Sequence, residues 1–344
     1  MAGPISVPDK PQVVRFLFKL LVLLVALALA AGAAAWWWTT QPMALAAPKV
    51  EISVPGGASL RTAANQAVKG GVQTHADLLY WYFRLAARDQ HIQPGAYEVT
   101  AGMRPADLLD KLVRGDRIEL PVTLVEGWTF KQVREALAKA ESLTQESAAM
   151  SEAELMKQLG KPGVPAEGRF FPDTYRYAKN SSDLGVLRHA MRLMDERLAA
   201  AWSQRAADTP LKSPEQALIL ASIVEKETGK PEDRPLIAGV FINRLKIGMP
   251  LQTDPTVIYG LGDKFDGNLR KRDLTTDTPY NTYTRKGLPP TPIAMPGKAA
   301  LMAAVQPAET RALYFVARGD GTSHFSGSLG EHNAAVRKYQ LGGQ

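Results

Sequence analysis

Between Leu20 and Trp38 the chain carries no charged residue, and this run constrains its possible folds more than any other feature. The 19 residues make a helix of about 28 Å at ~1.5 Å rise per residue, long enough to cross a bilayer core. Lys10, Arg15 and Lys19 precede the run, and the next charge is Lys49. Basic residues stay on the cytoplasmic side, so the N-terminus is expected inside and the bulk of the chain outside. Trp36, Trp37 and Trp38 would lie at the far interface as an aromatic anchor. A cleaved signal peptide is the alternative, with Ala44-Leu-Ala46 as its cleavage site. The run exceeds a usual signal core, which favours a retained single-pass anchor. The expected division is 1–19 cytoplasmic, 20–38 transmembrane and 39–48 a linker of small residues and prolines.

The composition narrows what the exported part can be. There are no cysteines, which excludes a disulfide framework and thiolate metal sites. The net charge of +7 is diffuse. It suits an anionic polymer, but no lysine and arginine run is interleaved with aromatics, which argues against nucleic acid. About 300 residues remain outside, enough for two domains with proper cores.

The residues after the linker read as α+β throughout. Val50–Pro55 alternates as a strand and stops at Gly56-Gly57. Helical spacing follows over 59–68 and 74–87, the second with Tyr80, Trp81, Tyr82 and Phe83 as an aromatic patch read as core. Gly95–Val99 is a short strand, and Pro105–Val113 a helix stopped by Gly115. This makes a compact module over 49–118. A larger domain over 119–344 opens with a strand at Leu120–Glu126 and a helix at Thr129–Ala140. Ser151-Glu-Ala-Glu154 is a capping box. An aromatic turn-and-strand runs from Glu167 to Tyr177, and a long amphipathic helix from Asp183 to Ala206. A buried helix over Ile237–Leu245 ends at Gly248. The stretch from Gln252 to Gly297 reads as loop, and a loop that long is functional or disordered. A strand at Leu313–Ala317 and a helix from His332 close the chain.

The chemistry concentrates on the helix Leu218–Glu227. Ser213 caps it, Pro214 takes the first helical position, and the next two turns are almost wholly apolar. Glu225 and Glu227 then appear at its end. Burial penalises a carboxylate and raises its pKa, which suits general acid chemistry at neutral pH. Residues 218, 221, 222 and 225 share a face. Ala221 and Ser222 leave room there for a ligand beside Glu225, whereas Glu227 lies over Leu220, Ile223 and Val224. Glu225 is therefore the expected acid, with both glutamates paired to nearby bases as the structural alternative.

Other chemistries lack their parts. No His-Glu-x-x-His occurs, and the eight-residue gap between His324 and His332 matches no standard zinc spacing. Gly-x-Ser-x-Gly, Walker and dinucleotide loops are absent. The long loop carries Gln252, Asp254, Tyr259, Tyr280, Asn281, Thr282 and Tyr283, whose amide, hydroxyl and aromatic groups suit a polyhydroxylated, acetamido-bearing ligand. Glycosidases usually pair two carboxyls, and Asp254 heads the candidates for a second. But Asp254-Pro255 also looks like a helix N-cap followed by proline. A mechanism with one acid therefore stays open, in which Glu225 protonates the glycosidic oxygen and then takes a proton from a sugar hydroxyl.

These segments resemble the MltG or YceG-like family of membrane-anchored endolytic murein transglycosylases. The matching pieces include Ala221-Ser-Ile-Val-Glu-Lys-Glu227, Phe241-Ile-Asn-Arg-Leu245 and Leu251-Gln-Thr-Asp-Pro-Thr-Val-Ile-Tyr-Gly260. Tyr280-Asn-Thr-Tyr283, Gly287-Leu-Pro-Pro290 and Glu167–Tyr175 match as well, and the likeness spans nearly the whole chain. Arg169 stands where the family has an aromatic, a difference expected to touch only a rim contact. The resemblance implies a LysM-like first module, a YceG-like catalytic domain and Glu225 as the catalytic acid. It also implies Ser222, Gln252, Asp254, Asn281 and Tyr283 on the substrate, with Glu227 and Arg244 supporting from behind. The implied reaction cleaves β-1,4 MurNAc–GlcNAc bonds in nascent peptidoglycan glycan strands, leaves 1,6-anhydro-MurNAc ends and ends strand growth. It needs no metal or cofactor. The implied place is the bacterial inner membrane with the catalytic domain periplasmic, beside peptidoglycan synthases. An anchored wall-binding scaffold without activity, or a true hydrolase giving reducing ends, are the alternatives.

Overall fold

A computed structural model of the chain describes residues 10–87 and 91–342. Residues 1–9 of the expected cytoplasmic segment lie outside the described residues. The chain separates into two compact units between Ile118 and Glu119. Both mix helices with small two-stranded sheets, so the fold class is α+β.

The first unit opens with α1 (Lys10–Thr40), a single helix whose stretch Val14–Thr40 is long and apolar enough to cross a membrane. The helix starts well before the uncharged run, so Arg15 and Lys19 lie on it. A small module follows: β1 (Lys49–Val54), α2 (Leu60–Lys69), α3 (Ala76–Ala86), β2 (Gly95–Thr100) and α4 (Pro105–Arg114). The two strands pair antiparallel from Lys49 opposite Thr100 to Val54 opposite Gly95. Alternation puts Ile52 and Val54 inward against Ala63, Ala67, Leu79, Phe83, Tyr97 and Leu108. Ser59 caps α2 by accepting from the Thr62 N–H at 3.1 Å. Gly115 ends α4 at φ +72°, a left-handed turn that glycine adopts without penalty. The aromatic patch on α3 is only partly core. Phe83 is fully buried, but Trp81 is 58% exposed, because consecutive helical residues point about 100° apart.

In the second unit β3 (Glu119–Thr123) pairs antiparallel with β4 (Thr174–Ala178). Around this ribbon lie α5 (Phe130–Lys139), α6 (Glu152–Gln158) and α7 (Asp183–Ser203). The centre is α8 (Pro214–Glu227), in which every residue from Ala217 to Val224 is buried. Ser213 accepts from the Gln216 N–H at 3.3 Å, and Pro214 occupies the first turn. Against α8 pack α7, α9 (Arg234–Lys246), α10 (Asp254–Leu261) and α12 (Lys298–Val305). A hairpin of β5 (Tyr314–Ala317) and β6 (Ser323–Ser326) leads into α13 (Leu329–Tyr339).

The stretch from Gln252 to Gly297 is less irregular than expected. It holds α10, a 3₁₀ turn at Gly262–Lys264 and α11 (Lys271–Thr275). These helices are too short to show apolar periodicity, and Thr, Asp, Pro and Gly at their ends read as turn residues. Thr253 is the N-cap residue of α10, with Asp254 already in its first turn. The last helix begins at Leu329, because Ser328 and Glu331 form a capping box there.

Candidate active site

Two residues apart on an α-helix, side chains diverge by about 200° around the axis, and Glu225 and Glu227 enter different surroundings. Glu225 turns inward. Its Oε2 accepts the Gly297 N–H at 2.8 Å, and its Oε1 lies 3.5 Å from the Arg234 guanidinium, with its side chain only 6% exposed. Gly297 is the N-cap residue of α12, so this carboxylate faces the positive end of that helix. A side chain at Gly297 would collide with the Glu126 carboxylate. Burial raises the Glu225 pKa, opposed by the Gly297 hydrogen bond and Arg234.

Glu227 faces a cavity of about 450 Å³ that Arg244, Gln252, Thr253, Asp254, Tyr283, Tyr314 and His332 also line. Burial pushes its pKa up to about 7. The charge of Asp254 pushes the same way, while a hydrogen bond from Thr253 and the charge of Arg244 oppose it. The Thr253 hydroxyl donates to Glu227 Oε1. Thr253 is itself fixed: its N–H donates to Thr282 Oγ1 at 3.1 Å, and its carbonyl accepts from Thr256 Oγ1 at 2.8 Å. Beside it Gln252 is exposed and adopts φ +49°, a left-handed conformation uncommon for a residue other than glycine.

The remaining walls come from distant segments. Tyr283 donates its hydroxyl to Asp254 Oδ1 at 2.5 Å, and burial raises the phenol pKa. Arg244 is buried and donates to the carbonyls of Leu251 at 2.6 Å and Leu313 at 2.7 Å. It therefore braces the cavity, tying α9 to the segment before α10 and to the start of β5. Its guanidinium lies 5.2 Å from the Tyr314 ring centre. Tyr314 stacks on His332 at 5.2 Å and 24°. Burial lowers the His332 pKa below the usual range, so the imidazole is neutral at pH 7.

The structure thus gathers Glu227, Arg244, Gln252, Asp254 and Tyr283 around one cavity. It does not bring Glu225, Ser222 or Asn281 there. Ser222 is wholly buried; its hydroxyl donates to the Ile219 carbonyl at 2.7 Å and accepts the Ile293 N–H at 3.0 Å. Asn281 is wholly buried too. Its amide donates to the carbonyls of Asp273, Leu274 and Thr276 at 3.1, 3.1 and 2.7 Å, and its oxygen accepts the Tyr283 N–H at 2.9 Å. At 0% exposure it presents no surface to an acetamido group. Arg169 is no rim residue either, since it is buried in an ion pair with Glu215 at 2.6 Å. Sequence reasoning missed Thr253, Tyr314 and His332. Thr253 could have been found from its place between Gln252 and Asp254. Tyr314 and His332 carry no local signal, because only the β5–β6 hairpin and α13 bring them in.

Another buried acid with a raised pKa stands apart from this cavity. Glu167 accepts the Phe130 N–H at 3.0 and 3.2 Å and the Tyr259 hydroxyl at 3.1 Å. Burial pushes its pKa up to about 7. It fastens the start of α5 to α10 on the wall of a cleft of about 1120 Å³.

Comparison with known proteins agrees with this architecture. A protein of Bacillus subtilis (strain 168) named endolytic murein transglycosylase is 33% identical over 307 residues, covering 84% of this chain and 84% of the relative. One of the same name from Streptococcus pneumoniae serotype 2 (strain D39) is 28% identical over 324 residues, covering 84% of this chain but 58% of that longer protein. The crystal structure of a YceG-like protein from Listeria monocytogenes superposes with a TM-score of 0.52 at 28% identity, covering 83% of this chain and 98% of the other. The YceG-like family matches residues 52–338, and the chain belongs to that family.

Proposed function

We propose that the chain is an endolytic murein transglycosylase in which Glu227 is the single catalytic acid and base. The observation that carries this reading is a carboxyl with its pKa pushed up to about 7, facing an open cavity lined with amide, carboxylate and aromatic groups. The names of the relatives supply the substrate class, murein. At neutral pH such a group is partly protonated and can give its proton to the leaving oxygen of a β-1,4 MurNAc–GlcNAc bond. The bond from C1 to that oxygen breaks as the oxygen takes the proton. The carboxylate left on Glu227 then removes the proton from the C6 hydroxyl of the same MurNAc. That oxygen bonds to C1, giving a 1,6-anhydro end and returning Glu227 to its protonated form. No water is consumed.

In this reading Thr253 holds the Glu227 carboxyl, while Gln252, Asp254 and Tyr283 contact the sugars. Tyr314 and His332 form an aromatic wall beside them. The presence of Asp254 in the cavity supports one rival, a hydrolase in which Asp254 directs a water. Mass spectrometry of digested glycan separates the two: anhydro ends support the transglycosylase, reducing ends the hydrolase, and uncut strands a binding scaffold. We assign α1 as a retained anchor with the basic N-terminus in the cytoplasm and the second unit beyond the inner membrane. The β1-α2-α3-β2 module is proposed as a LysM-like glycan-binding element. Peptidoglycan synthases in the same membrane are the proposed partners, and ended strand growth the proposed outcome.

A further inference from the structure

Outside α1, most exposed large apolar side chains among the described residues are scattered: Val125, Ile247, Leu329 and Leu341 each stand apart. Such singles are ordinary. The exceptions are Leu78, Trp81 and Leu85 on α3, which are 50%, 58% and 75% exposed. At about 100° per residue they fall within about 60° of one another, a continuous stripe along the helix.

The neighbours of this stripe identify what covers it. On one flank lies Tyr82, whose ring meets Trp38 edge-on at 6.4 Å. Trp38 stands near the end of the apolar stretch of α1, beside Trp36 and Trp37, both widely exposed. Tryptophan and tyrosine concentrate where hydrocarbon meets headgroups. The α3 stripe therefore starts at the level where α1 leaves the hydrocarbon. On its other flank Arg84 is exposed. The one acid there, Asp77, is paired with Arg61 at 2.7 Å, whose guanidinium also covers the Tyr80 ring at 4.1 Å. An apolar stripe edged by aromatic and basic residues is the pattern of a helix lying in a bilayer interface.

We propose that α3 rests on the outer surface of the same membrane, with Leu78, Trp81 and Leu85 inserted among the lipids. The occupant is lipid, because the stripe continues the aromatic belt of the anchor. The module is then laid flat against the bilayer beside its own transmembrane helix. This inference rests on α1 being a retained anchor and is independent of the assignment of Glu227.

The chain has no cysteine, so single cysteines can carry a nitroxide in the full-length protein reconstituted in phosphatidylglycerol–phosphatidylethanolamine vesicles. Leu78→Cys and Leu85→Cys report on the stripe, Leu27→Cys on the anchor, and Asn65→Cys on the exposed side of α2. Collision with dissolved oxygen marks lipid, and collision with a water-soluble nickel chelate marks solvent. Labels at 78 and 85 are expected to favour oxygen severalfold over Asn65→Cys, as Leu27→Cys does. Nickel accessibility at 78 and 85 equal to that at 65, with 27 still in lipid, would overturn the proposal alone. Shielding of 78 and 85 from both reagents would mean a protein covers the stripe and would overturn it too. Solvent accessibility at 27 would remove the anchor and the proposal together.

Discussion

Glu225 and Glu227 share a helix end, a residue type and a raised pKa, yet they sit in opposite regions. The Glu225 region is closed: a helix N-terminus and a guanidinium hold a carboxylate whose side chain is 6% exposed. The Glu227 region is open: one hydroxyl holds the carboxyl and the rest of its surroundings line a cavity. A raised pKa marks burial in both places, so by itself it does not find the catalytic group. What separates them is whether the proton has somewhere to go.

The largest effect expected is on turnover. Glu227→Gln should lower cleavage about 10²–10⁴-fold, while Glu225→Gln keeps most of the activity of whatever fraction stays folded. Near-normal anhydro-product formation by purified Glu227→Gln would remove the distinction. Asn281→Ala comes next, and its effect is on stability. It strands the half-buried carbonyls of Asp273 and Leu274 and that of Thr276, which now share one amide, costing about 1–3 kcal/mol. Denaturant unfolding and turnover should fall together; lost turnover at unchanged stability would return Asn281 to the substrate. Glu225→Ala should cost about 1–3 kcal/mol by leaving the Gly297 N–H and Arg234 without their acceptor, and unchanged melting would show that this carboxyl braces nothing.

Stability should also respond to pH. A carboxyl whose pKa rises on folding favours the folded state most at low pH, and that contribution is lost as pH climbs from its ordinary value through the folded one. For Glu227 the window runs from 4.5 to about 7, and Glu167 acts over the same range. The wild type should therefore lose stability as pH rises from 4.5 to about 7. Glu227→Gln should lose less, leaving the part due to Glu167 and Glu225, whose pKa values burial also raises. Identical slopes in the two proteins would mean that Glu227 ionises freely in the fold.

Much of this architecture is legible in the chain. Ser213 and Pro214 announce α8, its apolar turns announce burial, and Gln252, Asp254 and Tyr283 stand in segments rich in ligand-binding groups. The choice between the two glutamates is not legible. On either side of α8 the preceding turns are apolar, and only the packing of α12 and of the start of α9 closes one face at the tip. Ser222 and Asn281 misled because small polar residues serve buried hydrogen bonds as readily as ligands. Tyr314 and His332 were out of reach because their place depends on the hairpin folding back over α9 and on α13 packing against that hairpin.

A variant that stops working does not by itself distinguish a proton donor from a prop, so the most direct test is the pH dependence of kcat/KM on soluble glycan. If Glu227 donates the proton, activity falls on the alkaline side with a midpoint near its folded value of about 7. The Thr253 hydrogen bond stabilises the ionised form, so Thr253→Val should move that midpoint to higher pH. A wild-type profile flat through alkaline pH, or a midpoint that Thr253→Val leaves in place, would contradict the assignment of Glu227.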